Sequence, residues 1–352
     1  MVVGAHIWGE DVEQSLLLFA LKKTASLQPG TKFIFFTNSP LDHLPQNCVH
    51  VNINPRPTNK ILLNYWYNYK LPKLLLRYNI NSFISNAGIL ASGISTNQFL
   101  LIERKDLFEE RNSFFKKRLG DGVALARTVF VTDNVIGEII RKQFPAHTNK
   151  IQLLNFSLNE NSSLFTLKDI EGVREKYTEG FDYYLFRVDE TSKAHILTLL
   201  KSFSQLKKWQ KTALKMILLF ENEIDEKLLP DFKNYKYKDQ VVLLKETREN
   251  SMLLTAAAFS YIYFSDYKSR ECVYKAFQYY VPVIAADTIT NNLLFKLAVC
   301  YTAIAVDGLA LQLQLIYKDE VYRKQLLQKS TIYLTNFDSI IASQNFAEVV
   351  SN

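Results

Sequence analysis

The residues best placed to do chemistry surround one turn. In Tyr261–Asp287, YIYFSDYKSRECVYKAFQYYVPVIAAD, the aromatic and β-branched run Tyr261–Phe264 gives way to a polar loop that leads through Arg270 and Glu271 to Lys275. Val273, Tyr274, Phe277 and Tyr280 recur at helical spacing. Val281–Ala285 is a second apolar run, with Pro282 near its start, where a strand tolerates it. The pattern predicts strand, loop, helix, strand. Such a loop feeds a helix N-terminus, whose free N–H groups and dipole favour an anion. Anion binding is therefore the chemistry to expect at this turn. No nucleophile elbow, Walker loop or zinc pattern occurs, and the five histidines (His6, His43, His50, His147, His195) have no metal-ligand spacing.

A chain of 352 residues, 48% of them hydrophobic, is long enough for two domains with sizeable cores. Three widely spaced cysteines, Cys48, Cys272 and Cys300, argue against a disulfide framework and fit a reducing cytosol. The start lacks the basic and apolar pattern of a signal peptide, and no stretch is apolar for long enough to span a membrane. A net charge of +7 permits a phosphate-bearing ligand, nucleic acid or an anionic membrane surface, without choosing among them. Glycine, with 11 residues, is scarce for a chain that would cradle phosphates.

Read in order, the chain predicts strands at Val2–Ile7, Lys32–Phe36, Cys48–Ile53, Ser82–Ser85, Phe99–Ile102, Thr128–Val131 and Lys150–Leu154. Between them come a helix ending near Leu27, a helical aromatic block from Asn59 to Tyr78 that Pro72 kinks or restarts, helices at Phe108–Leu119 and Gly122–Arg127, and a helix capped by Thr132 or Asp133. The polar stretch 156–169 reads as a linker. A second series follows, with strands at Tyr183–Arg187, Lys215–Phe220, Gln240–Leu244, Tyr261–Phe264, Val281–Ala285 and Tyr301–Ala305 and helices between them; Phe337–Val350 is a final helix. Strands alternating with helices predict α/β architecture with doubly wound sheets.

The segment VYKAFQYYVPVIAAD resembles the hallmark segment of retaining GT-B glycosyltransferases of the "glycosyl transferases group 1" family. Further similarity lies in Tyr65–Pro72, in Phe130–Asp133 and in Lys150–Asn155. The resemblance implies two Rossmann-like domains, an acceptor-side domain over 1–160 and a nucleotide-sugar-binding domain over 161–335, with a C-terminal crossover helix over 336–352 returning to the first. It also implies a site in the cleft between the domains. The family's paired glutamates, eight positions apart, fall on Tyr267 and Lys275, its loop glycines on Lys268 and Arg270, and its His-Asp pair on Glu103-Arg104. Its frame is kept while its usual chemistry is not.

The resemblance assigns roles residue by residue. Arg187, at a strand end, and Lys193, six positions on at a helix start, would grip the donor diphosphate. An Arg fork and a Lys point charge suit phosphate, and one such pair at about 4 Å contributes on the order of 4 kcal/mol at an effective dielectric of 20. Glu103 would accept hydrogen bonds from the transferred sugar, and Gly9 is what remains of the glycine-rich N-terminal loop. Arg270, Glu271 and Lys275 would face the nucleotide, although Lys275 has donors only and cannot accept from ribose hydroxyls. The basic, aromatic stretch Arg111–Arg118 would meet an anionic membrane surface or an acidic acceptor.

The function so implied is transfer of a sugar from a nucleotide sugar to a glycan or lipid-linked acceptor, with retention and without a metal or other cofactor. The expected place is the cytoplasm, at the inner membrane face where Arg111–Arg118 touches it. The rival reading is a catalytically inactive GT-B scaffold or partner of an active transferase, which the drifted motifs favour and the retained Arg187 and Lys193 oppose. Nucleic acid, supported by charge alone, is not an expected partner.

Overall fold

Aromatic and β-branched runs buried on both faces make parallel strands, and here they make two separate parallel sheets. The computed structural model describes the chain except for residues 9–11, 13–14, 54–59, 104–112, 155–164, 225–231, 233, 266–269, 336–338 and 352. Two units emerge, one of Met1–Glu160 with Phe337–Asn352 and the other of Asn161–Asn336.

In the first unit, β1 (Val2–His6), β2 (Lys32–Thr37), β3 (Cys48–Asn52), β4 (Ser82–Ser85), β5 (Asn97–Ile102), β6 (Thr128–Val131) and β7 (Ile151–Leu153) lie in the order β3-β2-β1-β4-β5-β6-β7. The order reverses between β1 and β4, a switch point of the kind where parallel sheets open a crevice at their carboxyl ends. Helix α1 (Leu16–Leu27) and the C-terminal helix (Ser339–Ser351) share one face of this sheet. Phe346 is fully buried there, its ring 5.1 Å from that of Phe130. The final helix thus returns to the first domain, as the resemblance implied.

The aromatic block forms α2 (Lys60–Tyr65), a π-helical turn (Trp66–Lys70) and α3 (Leu71–Arg77). The break precedes Pro72 rather than falling at it. Proline lacks an N–H and its ring crowds the carbonyl four residues back, so widening the preceding turn relieves both defects. The π turn buries Trp66 and Tyr67, and the Tyr67 hydroxyl lies 2.6 Å from His6 Nδ1 and 2.8 Å from Ser85 Oγ.

The two helices expected over 108–127 are a single helix, α4 (Ser113–Leu125), as far as the described residues run. Gly120 and Gly122 lie inside it and do not break it. A Cβ on Gly122 would stand 2.8 Å from the Gly88 carbonyl oxygen, so this glycine serves close approach to a loop. Helix α5 (Asn134–Gln143) is capped by Asp133, whose carboxylate accepts from Ile136 N at 2.9 Å.

The second unit opens with α6 (Leu167–Thr178), whose first residues fall in the stretch read as linker. Thr166 and Asp169 form a reciprocal capping box that starts this helix despite its sparse apolar residues. There follow β8 (Tyr183–Val188), a 3₁₀ turn (Ser192–His195), α7 (Ile196–Trp209), β9 (Lys215–Phe220), β10 (Val241–Lys245), α8 (Arg248–Ala257), β11 (Ser260–Tyr263), α9 (Glu271–Gln278), β12 (Val283–Ala286), α10 (Ile289–Phe295), β13 (Cys300–Thr302), α11 (Val306–Lys318) and α12 (Glu320–Thr335). The sheet order is β10-β9-β8-β11-β12-β13, with its switch point between β8 and β11. Buried tyrosines on β8 satisfy their hydroxyls locally: Tyr183 donates to Leu254 O and Tyr184 to Leu313 O, each at 2.7 Å. No helix among the described residues is long and apolar enough to cross a membrane.

Candidate functional site

At the carboxyl ends of β8, β9 and β10, with Tyr261 of β11 across the switch point of the sheet, the second unit holds a cavity of about 540 Å³. Register builds its floor. Val188 pairs with Phe220, and Phe220 with Lys245, so the next residue of each strand (Asp189, Glu221 and Glu246) stands at one level. Backbone bonds carry the ladder one step further, Glu221 N to Val188 O at 3.0 Å and Glu246 N to Phe220 O at 2.7 Å. Three carboxylates therefore end three adjacent strands.

Arg187 lies among them. Its Nε donates to Glu246 Oε2 at 2.7 Å, Nη2 is 3.3 Å from Glu221 Oε1, and Nη1 is 3.9 Å from Asp189 Oδ2. Burial on its own would lower the Arg187 pKa, but Cys272 and Glu246 oppose it and the net direction is upward. Burial pushes the Cys272 thiol up, so at neutral pH Cys272 stays uncharged and Glu246 carries the pairing. Asp189 also shapes the turn into α7, its Oδ1 accepting from Thr191 N at 3.0 Å and from Ser192 N at 2.8 Å.

The far wall comes from α9 and β11. Glu271 and Lys275, one helical turn apart on α9, both line the cavity, with Cys272 between them and Tyr261 on β11. Ser251 and Thr255 of α8 add hydroxyls. Among the described residues the lining side chains count five carboxylates (Asp189, Glu190, Glu221, Glu246, Glu271) against two cations (Arg187, Lys275), a formal −3. Sequence reading marked the cations and missed Glu221 and Glu246, whose proximity to Arg187 exists only once the strands are paired.

The other expected residues fall elsewhere. Lys193 does not line the cavity; its ammonium bonds the Glu190 carboxylate. Arg270 precedes α9 as its N-cap residue and is half-buried. Gly9 lies outside the described residues. Glu103, in the first unit, holds the start of α1: it accepts from Leu16 N at 3.0 Å, from Ser15 Oγ at 3.3 Å and from Asn86 Nδ2 at 2.5 Å. Asn86 in turn ties to Trp8, accepting from its N at 2.6 Å and donating to its O at 3.1 Å. Of the stretch Arg111–Arg118, residues 111–112 and the side chains of 113–116 lie outside the description, and Lys117 is exposed. Arg118 turns inward, with Nε and Nη2 buried, and its charge acts on the buried Tyr67. Among the described residues no group of three or more His, Cys, Asp or Glu side chains is arranged to hold a metal ion.

Comparison with solved structures aligns the whole chain. A glycosyltransferase from Rickettsia africae ESF-5 superposes with a TM-score of 0.66 at 12% identity, over 99% of this chain and 97% of that one. HepE from Anabaena in complex with UDP gives 0.68 at 12% identity over 99% of both chains. The apo form of WaaB, a lipopolysaccharide outer core galactosyltransferase, gives 0.65 at 12% identity over all of both chains. The fold is that of the GT-B glycosyltransferases. No protein-family model matches the chain, and no curated protein matches its sequence.

Proposed function

We propose that the protein is a glycosyltransferase that takes a nucleotide-sugar donor into the cavity of its second unit and passes the sugar to a glycan or lipid-linked acceptor. The observation that carries this reading is the cavity itself, at a switch point, with Arg187 in its floor. Supporting it, the GT-B structures that align along the full chain include HepE solved with UDP and with UDP-glucose.

The acidic lining sets the terms of binding. The Glu221 side chain is 48% exposed, so its pairing with Arg187 is weak and exchanges readily for a phosphate oxygen. The Lys193–Glu190 pair lies on the surface and yields in the same way. Glu246, 15% exposed and bonded to Nε, keeps the guanidinium plane fixed while its two Nη groups face the diphosphate. Arg187 and Lys193 then offset the charge that builds on the leaving diphosphate. Arg270, Glu271 and Lys275 belong to the nucleotide side, where the Glu271 carboxylate accepts ribose hydroxyls that Lys275 cannot. On the first unit, Glu103 fixes the start of α1 and, with Gly9, belongs to the sugar side. We further propose retention of anomeric configuration, no metal, and action at the cytoplasmic face of a membrane.

The test is titration calorimetry against UDP, GDP, ADP and their sugars, followed by NMR of the anomeric product formed with the donor that binds. Saturable binding of one nucleoside diphosphate that Arg187→Ala removes, with the variant still folded by circular dichroism, supports the reading. Absence of binding across the panel overturns it.

A further inference from the structure

The second unit carries another concave site, of opposite charge. A groove of about 650 Å³ runs along the outer face of α7, closed by the segment Asn234–Lys236 and by Val306. Residues 197, 201, 204, 205 and 208 recur every three or four positions, so one helix face supplies most of its wall. The opposite face of α7 is core, with Leu199, Phe203 and Leu206 fully buried. Tyr235 fastens the closing segment to the helix: its hydroxyl donates to Leu200 O at 2.8 Å and accepts from Ser204 Oγ at 3.0 Å. These bonds hold the closing wall against the helix.

Its chemistry is specific. Lys201, Lys208 and Lys236 line it, all exposed, and among the described residues no carboxylate does. No ion pair within the described residues engages any of the three, whereas in the donor cavity carboxylates surround Arg187. Asp307 is turned to Gln205, whose Nε2 donates to it at 2.9 Å. Trp209, 42% exposed, ends the groove, and Leu197, 43% exposed, adds apolar area. Ser204 and Asn234 contribute hydroxyl and amide groups.

Helix-end electrostatics explain part of this. Lysines near a helix C-terminus complement its dipole, the position of Lys207 and Lys208, and the Lys207 ammonium turns inward to donate to Thr212 O at 2.8 Å and to Leu214 O beyond the helix. Lys201 and Lys236 lie outside that role, and an exposed tryptophan at the end of a concave basic groove is not explained by it. An indole face stacks on the C–H face of a pyranose ring, amides and hydroxyls meet sugar hydroxyls, and ammonium groups neutralise acidic substituents. The size falls within the roughly 300–1,000 Å³ of small-ligand sites.

We propose that this groove is a second carbohydrate site, binding a short acidic saccharide whose rings carry carboxylate or phosphate groups. It is separate from the donor cavity and does not depend on the donor reading. Concavity and the single indole favour a saccharide chain over a bilayer surface, which would call for a flat or convex basic face.

The test follows tryptophan fluorescence and calorimetry of the full chain with trigalacturonic acid. Maltotriose, inorganic phosphate and phosphatidylglycerol vesicles are the comparison arms. Expected is saturable binding of the acidic trisaccharide that weakens as salt rises, at least tenfold tighter than maltotriose or phosphate alone. The triple variant Lys201→Glu, Lys208→Glu, Lys236→Glu should lose it at least tenfold, and Trp209→Phe should lose the fluorescence change. Both variants should keep the wild-type melting temperature and nucleotide response. Equal affinity for maltotriose removes the charge from the argument, and equal affinity for phosphate removes the sugar. Binding to vesicles alone, or no binding that the triple variant alters, overturns the proposal.

Discussion

Arg187 Nε and Glu246 Oε2 lie 2.7 Å apart, joining the penultimate residue of β8 to the residue that follows β10. Both side chains are mostly buried, at 14% and 15% exposure. Removing the arginine takes the cation away from both Glu246 and Asp189. Arg187→Ala should therefore cost the second unit about 2 kcal/mol in chemical denaturation, as well as abolishing nucleoside diphosphate binding. Unchanged stability would mean that the pair is dispensable to the fold.

Glu221 should behave in the opposite sense. Glu221→Gln removes one exposed negative charge beside the guanidinium while keeping the side chain's shape. Nucleoside diphosphate affinity should rise about tenfold, corresponding to about 1.4 kcal/mol, with little change in melting temperature. Weaker binding in this variant would show that the carboxylate contacts the ligand directly.

Glu103 is expected to act through α1. Glu103→Ala frees Leu16 N, Ser15 Oγ and Asn86 Nδ2 together, and should destabilise the first unit by about 1–3 kcal/mol. For a unit of this size that is a drop of several degrees in melting temperature. A variant with wild-type melting and no sugar transfer would instead place Glu103 on the substrate.

His6 makes the first unit sensitive to mild acid. Burial lowers its pKa from 6.5 to about 3, so it stays neutral in the folded chain over a range in which the unfolded chain takes up a proton. The unfolded state then binds more protons, and stability falls as the pH drops below about 6.5. Between pH 7.5 and 5 the loss is about 2 kcal/mol. Unfolding free energies from denaturant titrations at the two pH values should differ by that much more in the wild type than in His6→Asn. Equal differences would mean that His6 is protonated in the fold.

Gly122→Ala should be costly for a helical glycine. The added methyl would meet the Gly88 carbonyl at 2.8 Å, backbone against backbone, with Gly88 itself at φ 70°. An overpacking cost of about 1–3 kcal/mol is expected, against the gain of about 1 kcal/mol that an open helix site would give. A more stable variant would mean that α4 can shift away from the loop.

Much of the architecture was legible because strands buried on both faces read as continuous apolar runs. Ser82–Ser85, Thr128–Val131 and Lys215–Phe220 are strands over the expected residues. The legible part ends where a property depends on neighbours distant in sequence. Asp189, Glu221 and Glu246 look like three unrelated strand-end acids until parallel register levels them. Helix α6 was hidden by polar composition, although Thr166 and Asp169 carried its start signal. The hold of Glu103 on the start of α1 was not legible, because a side chain that caps a remote helix leaves no local pattern.

The last helix bears on how the chain comes to be folded. Ala342, Phe346 and Val350 complete a core otherwise built from residues before 155, and every residue of the second unit lies between the two contributions. During synthesis the second unit can assemble as soon as its own strands have left the ribosome, while the earlier unit waits with an apolar face uncovered until the final turns emerge. Chaperone demand should therefore fall on the half of the protein that is made first, and a stop codon ahead of Ser339 should leave the later half intact while exposing the earlier half to proteolysis.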